Sequence, residues 1–170
     1  MKKKILGLSL VLALAFSMSI TANAATTLQN NLTAEQIAVM RDYQGDTAKS
    51  VTVTSGSDHK LVGALATTTY RGSFHRGTVL MWSEDFVSWT TNGSSISASS
   101  AWQDGGYIFP NIINLSGIKK YLTGSSSVTY RAKKTLGAGV VTPWGDVSVY
   151  NYDYTDYLQA NANGTLDVYQ

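Results

Sequence analysis

Two histidines, two pairs of carboxylates and an alternating run of tyrosines are the residues of this chain whose types and spacing could do chemistry. His59, in Ser-Gly-Ser-Asp-His-Lys, and His75, in Arg-Gly-Ser-Phe-His-Arg-Gly, both fall in segments that read as loops. Zinc is held by close clusters of Cys, His and carboxylates. The chain has no cysteine, no His-x-His and no His-Glu-x-x-His, so no metal site is expected. His75 could join Asp85 and one of the many serines in a triad assembled in space, yet no Gly-x-Ser-x-Gly elbow marks a nucleophile. Glu84 adjoins Asp85, and Asp153 lies near Asp156, but proximity along the chain does not set two carboxyls on either side of one sugar, as glycoside hydrolysis requires. Asn151, Asp153, Asp156, Asn161 and Asn163 form an oxygen-rich stretch of the kind calcium prefers. It lacks the Asp-x-Asp-x-Asp-Gly order, and turn formation is the commoner use of these residues, so no cofactor is expected.

Ser116-Gly-Ile-Lys119 matches Ser-x-x-Lys and Lys134-Thr135 begins like Lys-Thr-Gly, two marks of penicillin-recognising serine enzymes. Leu136 stands where the glycine should be and the Ser-Asp-Asn element is missing, so a short helix cap and a surface strand explain both matches better. The remaining chemistry is aromatic and basic. Tyr150, Tyr152 and Tyr154 share one face of a strand if that segment is extended. Outward-facing, they could stack on sugar rings with their hydroxyls in water; if a twist or bulge reverses the faces, they pack in the core, the commoner fate. Trp144, in Thr-Pro-Trp-Gly, reads as a turn residue open to a ligand, whereas Trp89 and Trp102 are expected on one buried face. Arg71, His75 and Arg76 make one basic cluster, and Arg131, Lys133 and Lys134 another. Candidate ligand-binding residues are therefore Trp144, Tyr150, Tyr152, Tyr154, Arg71, His75 and Arg76.

These residues sit behind an export signal. Lys2, Lys3 and Lys4 precede an apolar run from Ile5 to Ile20, and Ala22-Asn23-Ala24 supplies the small residues a signal peptidase encloses, so cleavage after Ala24 is expected. The run is shorter than the roughly 20 apolar residues of a membrane span and is diluted by Gly7, Ser9, Ser17 and Ser19, so no stable membrane anchor is expected. The signal resembles those of small proteins exported by Gram-positive bacteria. Removing it changes the charge balance. The precursor carries 13 Lys and Arg against 11 Asp and Glu; with three lysines gone the remainder is nearly neutral, which argues against a nucleic-acid partner.

Removing 24 residues from 170 leaves 146, enough for one core that must hold without disulfides. Low charge, abundant Ser, Thr, Gly, Asn and Tyr, and two prolines suit a β-rich domain. Residues 25–48 read as a lead-in with a short helix, capped by Thr33 and Gln36, carrying Ile37, Met40 and Tyr43 on one face and ended by Gly45. From Lys49 the period becomes two. Strands are expected over Ser50–Ser55 and Leu61–Tyr70, and a two-residue hairpin over Phe86–Thr91 and Ser94–Trp102 about Asn92-Gly93, with Trp89 opposite Ile96. Asp104-Gly105-Gly106 reads as a further turn and Ser116–Leu122 as a helical turn or two. Strands over 127–134, 140–142, 146–154 and 165–169 bring the set to eight or nine short ones. The expected fold is all-β, a mainly antiparallel sandwich or barrel with one short N-terminal helix, in a single domain over 49–170.

The expected function is that of a secreted bacterial binding module, non-enzymatic, for a cell-wall polymer or glycan. A secreted antagonist, bacteriocin-like or membrane-active, and an extracellular hydrolase are the alternatives.

Overall fold

Alternation between apolar and polar residues gives most of this chain a strand period, and the strands pair into two antiparallel sheets packed as a β-sandwich. A computed structural model describes residues 32–45, 49–56, 60–62, 65–142 and 145–170, so the expected signal, His59 and Trp144 lie outside the described residues. The first sheet runs β1 (Lys49–Ser55), β3 (Leu65–Thr78), β4 (Met81–Thr91), β5 (Ile96–Tyr107), with short β2 (Lys60–Val62) also paired to β3. The second runs β6 (Asn111–Thr123), β7 (Ser127–Thr142), β8 (Gly145–Asn161), β9 (Leu166–Tyr169). Several of these are long: β3, β7 and β8 have 14, 16 and 17 residues, where short strands were expected.

Helix α1 (Ala34–Gln44) follows Thr33 and stops where the Gly45 N–H donates to the Arg41 carbonyl at 2.8 Å. It buries Gln36, Val39, Met40 and Tyr43, so Val39 takes the core position expected of Ile37. The helix belongs to the same compact unit as the strands, residues 34–170. Among the described residues no helix is long and apolar enough to cross a membrane.

The core lies between the sheets. Phe74, Val87 and Trp89 from the first pack against Val128, Tyr130, Ala132, Leu158, Ala160 and Leu166 from the second. Trp89 stacks on its cross-strand partner Tyr70 at 5.5 Å, and its indole N–H donates to the Asn161 carbonyl at 2.9 Å, so the largest buried side chain is also polar-satisfied. β4 alternates without a break, odd residues from Met81 to Thr91 inward and even ones outward.

The hairpin is where the expected register fails. Asn92 and Gly93 do turn the chain, with Gly93 at φ +89°, but the loop takes four residues. The Asn92 side-chain oxygen accepts the N–H groups of Ser94 and Ser95 at 3.0 and 2.8 Å, and Thr91 Oγ1 accepts that of Gly93. This side-chain-bonded turn, with a register shift at Thr90/Thr91, puts Trp89 opposite Ser99 and Phe86 opposite Trp102. An odd slip exchanges faces. Trp102 therefore stands on the outside, 38% exposed, while Trp89 is buried.

Two further expectations are corrected. Asp104-Gly105-Gly106 is strand rather than turn; its glycines make room, since a Cβ at Gly106 would lie 3.0 Å from the Trp82 indole nitrogen and one at Gly105 2.8 Å from the Trp82 carbonyl. Ser116–Leu122 is strand rather than helix: Gly117 at φ +89° sits in a bulge between Leu115 and Ile118, and a second irregularity follows Lys120. Those two irregularities break strict alternation into a spacing that imitates a helix.

Candidate functional site

Strand alternation divides the basic cluster at 71–76 between two environments. Arg71 and His75 project from the outer face of the first sheet, while Arg76, two positions from Phe74, points inward and is fully buried. Arg76 is thus removed from the exposed ligand-contact set.

The outer face is built by β3, β4 and β5. Register sets Gly77, Trp82 and Gly106 in one row, His75, Glu84 and Asp104 in the next, and Ser73, Phe86 and Trp102 in the third. Rings stand at both ends. The His75 and Trp82 rings stack at 6.0 Å, and those of Phe86 and Trp102 at 4.9 Å with their planes 5° apart; the Arg71 guanidinium lies 5.3 Å from the Trp102 ring centre. Trp82 and Phe86 are four strand residues apart, about 13 Å. Between Trp82 and the Phe86–Trp102 pair, in the row that His75 shares, are two side chains that accept hydrogen bonds, Glu84 and Asp104. An open depression of about 440 Å³ adjoins it, lined by His75, Gly77, Thr78, Val79, Trp82 and Glu84. His75 faces Glu84 in register, but its close neighbour is the Trp82 ring, and no hydrogen bond joins the pair as a catalytic dyad would need.

The inner face carries a second cluster that sequence reasoning missed. Asp85 on β4, Arg76 on β3, Lys134 on β7 and Asp156 on β8 meet in the interior, all essentially without exposure. Lys134 Nζ donates to Asp85 Oδ2 and, at 2.6 Å, to Asp156 Oδ2. Arg76 Nη2 donates to Asp156 Oδ1 at 2.6 Å, and Gln103 Nε2 to Asp85 Oδ1 at 2.8 Å. Two cations meet two carboxylates, which makes burial of the group tolerable. Among the described residues the Arg76 Nε and Nη1 atoms have no hydrogen-bond acceptor; the guanidinium instead lies among the rings of Tyr154, Phe74 and Tyr43 at 4.5, 5.2 and 5.7 Å. Burial pushes the Asp85 carboxyl above the ordinary carboxylate range, with Lys134 opposing the shift. The signal was legible in principle: Asp85 shares the parity of Val87 and Trp89.

Tyr152 and Tyr154 lie on the inner side of β8. Tyr154 and Tyr152 pair with the buried Lys134 and Leu136, and Tyr154 meets Tyr43 edge-on at 6.0 Å; Tyr152 remains 44% exposed. Tyr150 on β8 pairs with Ala138 on β7. The carboxylates and amides considered for calcium are dispersed, Asp153 accepting from Thr135 Oγ1, Asp156 from the buried cations and Asn163 from Thr165. Among the described residues no cluster of metal-binding side chains forms.

Tyr43 closes the cluster from α1, its hydroxyl 2.6 Å from Ser83 Oγ. Burial raises its pKa well above the ordinary value of 10. Above about pH 10 the unfolded chain therefore releases a proton that the folded chain keeps, and stability falls by about 1.4 kcal/mol per pH unit from this group alone. Denaturant titrations at rising alkaline pH should show a steeper loss for wild type than for Tyr43→Phe; equal slopes would contradict the assignment.

Comparison with protein-family models, curated proteins and solved structures returns no match to this chain.

Proposed function

We propose that this is a secreted bacterial binding module, non-enzymatic, that holds a cell-envelope glycan on the outer face of the β3–β4–β5 surface. The observation that carries the reading is Trp82, stacked on His75, and the Phe86–Trp102 stack, with Trp82 and that second stack on either side of the acceptors Glu84 and Asp104 on an open sheet face. Rings pack against the apolar C–H faces of sugars, and carboxylates accept their hydroxyls. The carboxylate row favours a hydroxyl-rich sugar over a polyanion, since two acidic groups between Trp82 and the second stack repel phosphate. Arg71, outside that row, braces Trp102. The Lys2–Ala24 pattern supports export, and sequencing of protein recovered from a culture medium should begin at Ala25.

Sedimentation with purified cell wall, with soluble neutral oligosaccharides and with wall polyphosphate in separate arms tests the reading. Wall or neutral glycan should retain the protein, and Trp82→Ala should weaken retention at least about tenfold, near 1.4 kcal/mol. Preference for the polyphosphate arm, or no retention on any glycan, would contradict it.

A further inference from the structure

We propose that Lys134 and Asp85 condense to an intramolecular isopeptide bond that joins the two sheets of the sandwich, with Asp156 as the proton carrier and Gln103 as the oxyanion donor. Lys134 lies on β7 and Asp85 on β4, so the bond would cross the core between strands of different sheets. The amine is already in contact with the Asp85 carboxyl, in a site closed to water and faced by the Phe74 ring at 5.9 Å from Nζ.

The charges arrange themselves for the reaction. Arg76 pairs with Asp156 Oδ1 at 2.6 Å, which leaves Asp156 Oδ2 to face the Lys134 amine beside Asp85. Passage of one proton from the Lys134 ammonium to the Asp85 carboxylate turns the ion pair into the amine and acid that react, and the burial that raises the Asp85 carboxyl favours that transfer. Lys134 Nζ then attacks Asp85 Cγ, and the carbonyl electron pair moves onto Oδ1, where the Gln103 amide donates at 2.8 Å. As the C–N bond forms, Asp156 Oδ2, 2.6 Å from Nζ, takes one proton from the nitrogen and passes it to the departing Asp85 hydroxyl. The C–O bond breaks, water leaves, the carbonyl reforms and Asp156 is again a carboxylate. No oxidant or co-reactant is consumed. Proximity supplies the drive, because folding holds the two reacting groups together at very high effective concentration. The chain has no cysteine, and this bond would staple the sheets as a disulfide otherwise could.

Intact mass spectrometry of the folded wild-type protein decides the matter, measured against the mass calculated for its actual termini. The expected result is a deficit of one water, about 18 Da, with tryptic digestion yielding a branched product in which the segment containing Asp85 is joined to the segment containing Lys134. Lys134→Met should show the full mass. Full mass in folded wild type overturns the proposal, and so does a branch from Lys134 to Asp156. Loss of water within an unbranched peptide, as ring closure at Asp104-Gly105 would give, overturns it as well.

Discussion

Asp156→Ala is expected to destabilise the protein by about 3 to 5 kcal/mol, a large share of the roughly 5 to 15 kcal/mol that holds an ordinary domain folded. The carboxylate accepts from both Arg76 and Lys134, and both cations are buried. Removing it leaves the Arg76 guanidinium without its carboxylate and ringed by Tyr154, Phe74 and Tyr43, whose faces attract a cation but do not replace a charge-assisted hydrogen bond. Joining Lys134 to Asp85 would not relieve this, because Arg76 is still stranded. Truncating the exposed Arg71 should cost less than about 1 kcal/mol, as solvent-facing charges do. Urea denaturation of the two variants checks the contrast. A loss under about 1 kcal/mol for Asp156→Ala would mean that the four charges do not organise the interior.

Gly77→Ala should be nearly as damaging, with a loss of about 3 kcal/mol or more. Gly77 adopts φ +101°, a conformation that itself costs an L-residue about 1 to 2 kcal/mol. Space is the second obstacle. A Cβ there would strike the Met81 carbonyl oxygen and come within 2.8 Å of the Tyr43 ring, which Ser83 holds by its hydroxyl and which closes α1 onto the sheets. Overpacking of this kind adds about 1 to 3 kcal/mol. Gly93→Ala is the control, because Gly93 has a similar φ of +89° but, among the described residues, nothing within 4 Å of an added Cβ. Thermal melts should place Gly93→Ala near the backbone cost alone and Gly77→Ala well below it. Equal losses would show that α1 does not pack tightly at this point.

The two substitutions locate what the sequence could reveal. Helix α1, ending at Gly45, and the all-β sandwich follow from local pattern, because capping residues and period-two alternation are carried by neighbours along the chain. The hairpin about Asn92-Gly93 was legible as a turn but not in register: the side chain of Asn92 bonds two successive N–H groups and lengthens the loop, and the odd slip moves Trp102 to the outside. Glycine was ambiguous for the same reason. Gly105 and Gly106 yield space to Trp82 within a strand, and Gly117 bends one, whereas each reads as a break in isolation.

The composition of the candidate face was legible in part. Arg71 and His75 were singled out as basic residues and do stand on the outer face, beside Trp82 and Trp102. Arg76 belongs to the opposite side, a distinction that alternation from Phe74 already contained. The internal charges were hidden because Asp85, Lys134 and Asp156 lie on three strands far apart in sequence, and only sheet packing shows that each faces the others.

The central claim is that a glycan occupies the face bearing Trp82, Glu84 and Trp102. Isothermal titration of solubilised wall glycan into wild type, Trp102→Ala and Tyr169→Ala tests it most directly. Tyr169 supplies the comparison, being exposed on the other sheet in a stack with Tyr157 at 5.5 Å. Binding should weaken at least about tenfold in Trp102→Ala and remain unchanged in Tyr169→Ala. The reverse order, or equal affinity in all three, would contradict the account.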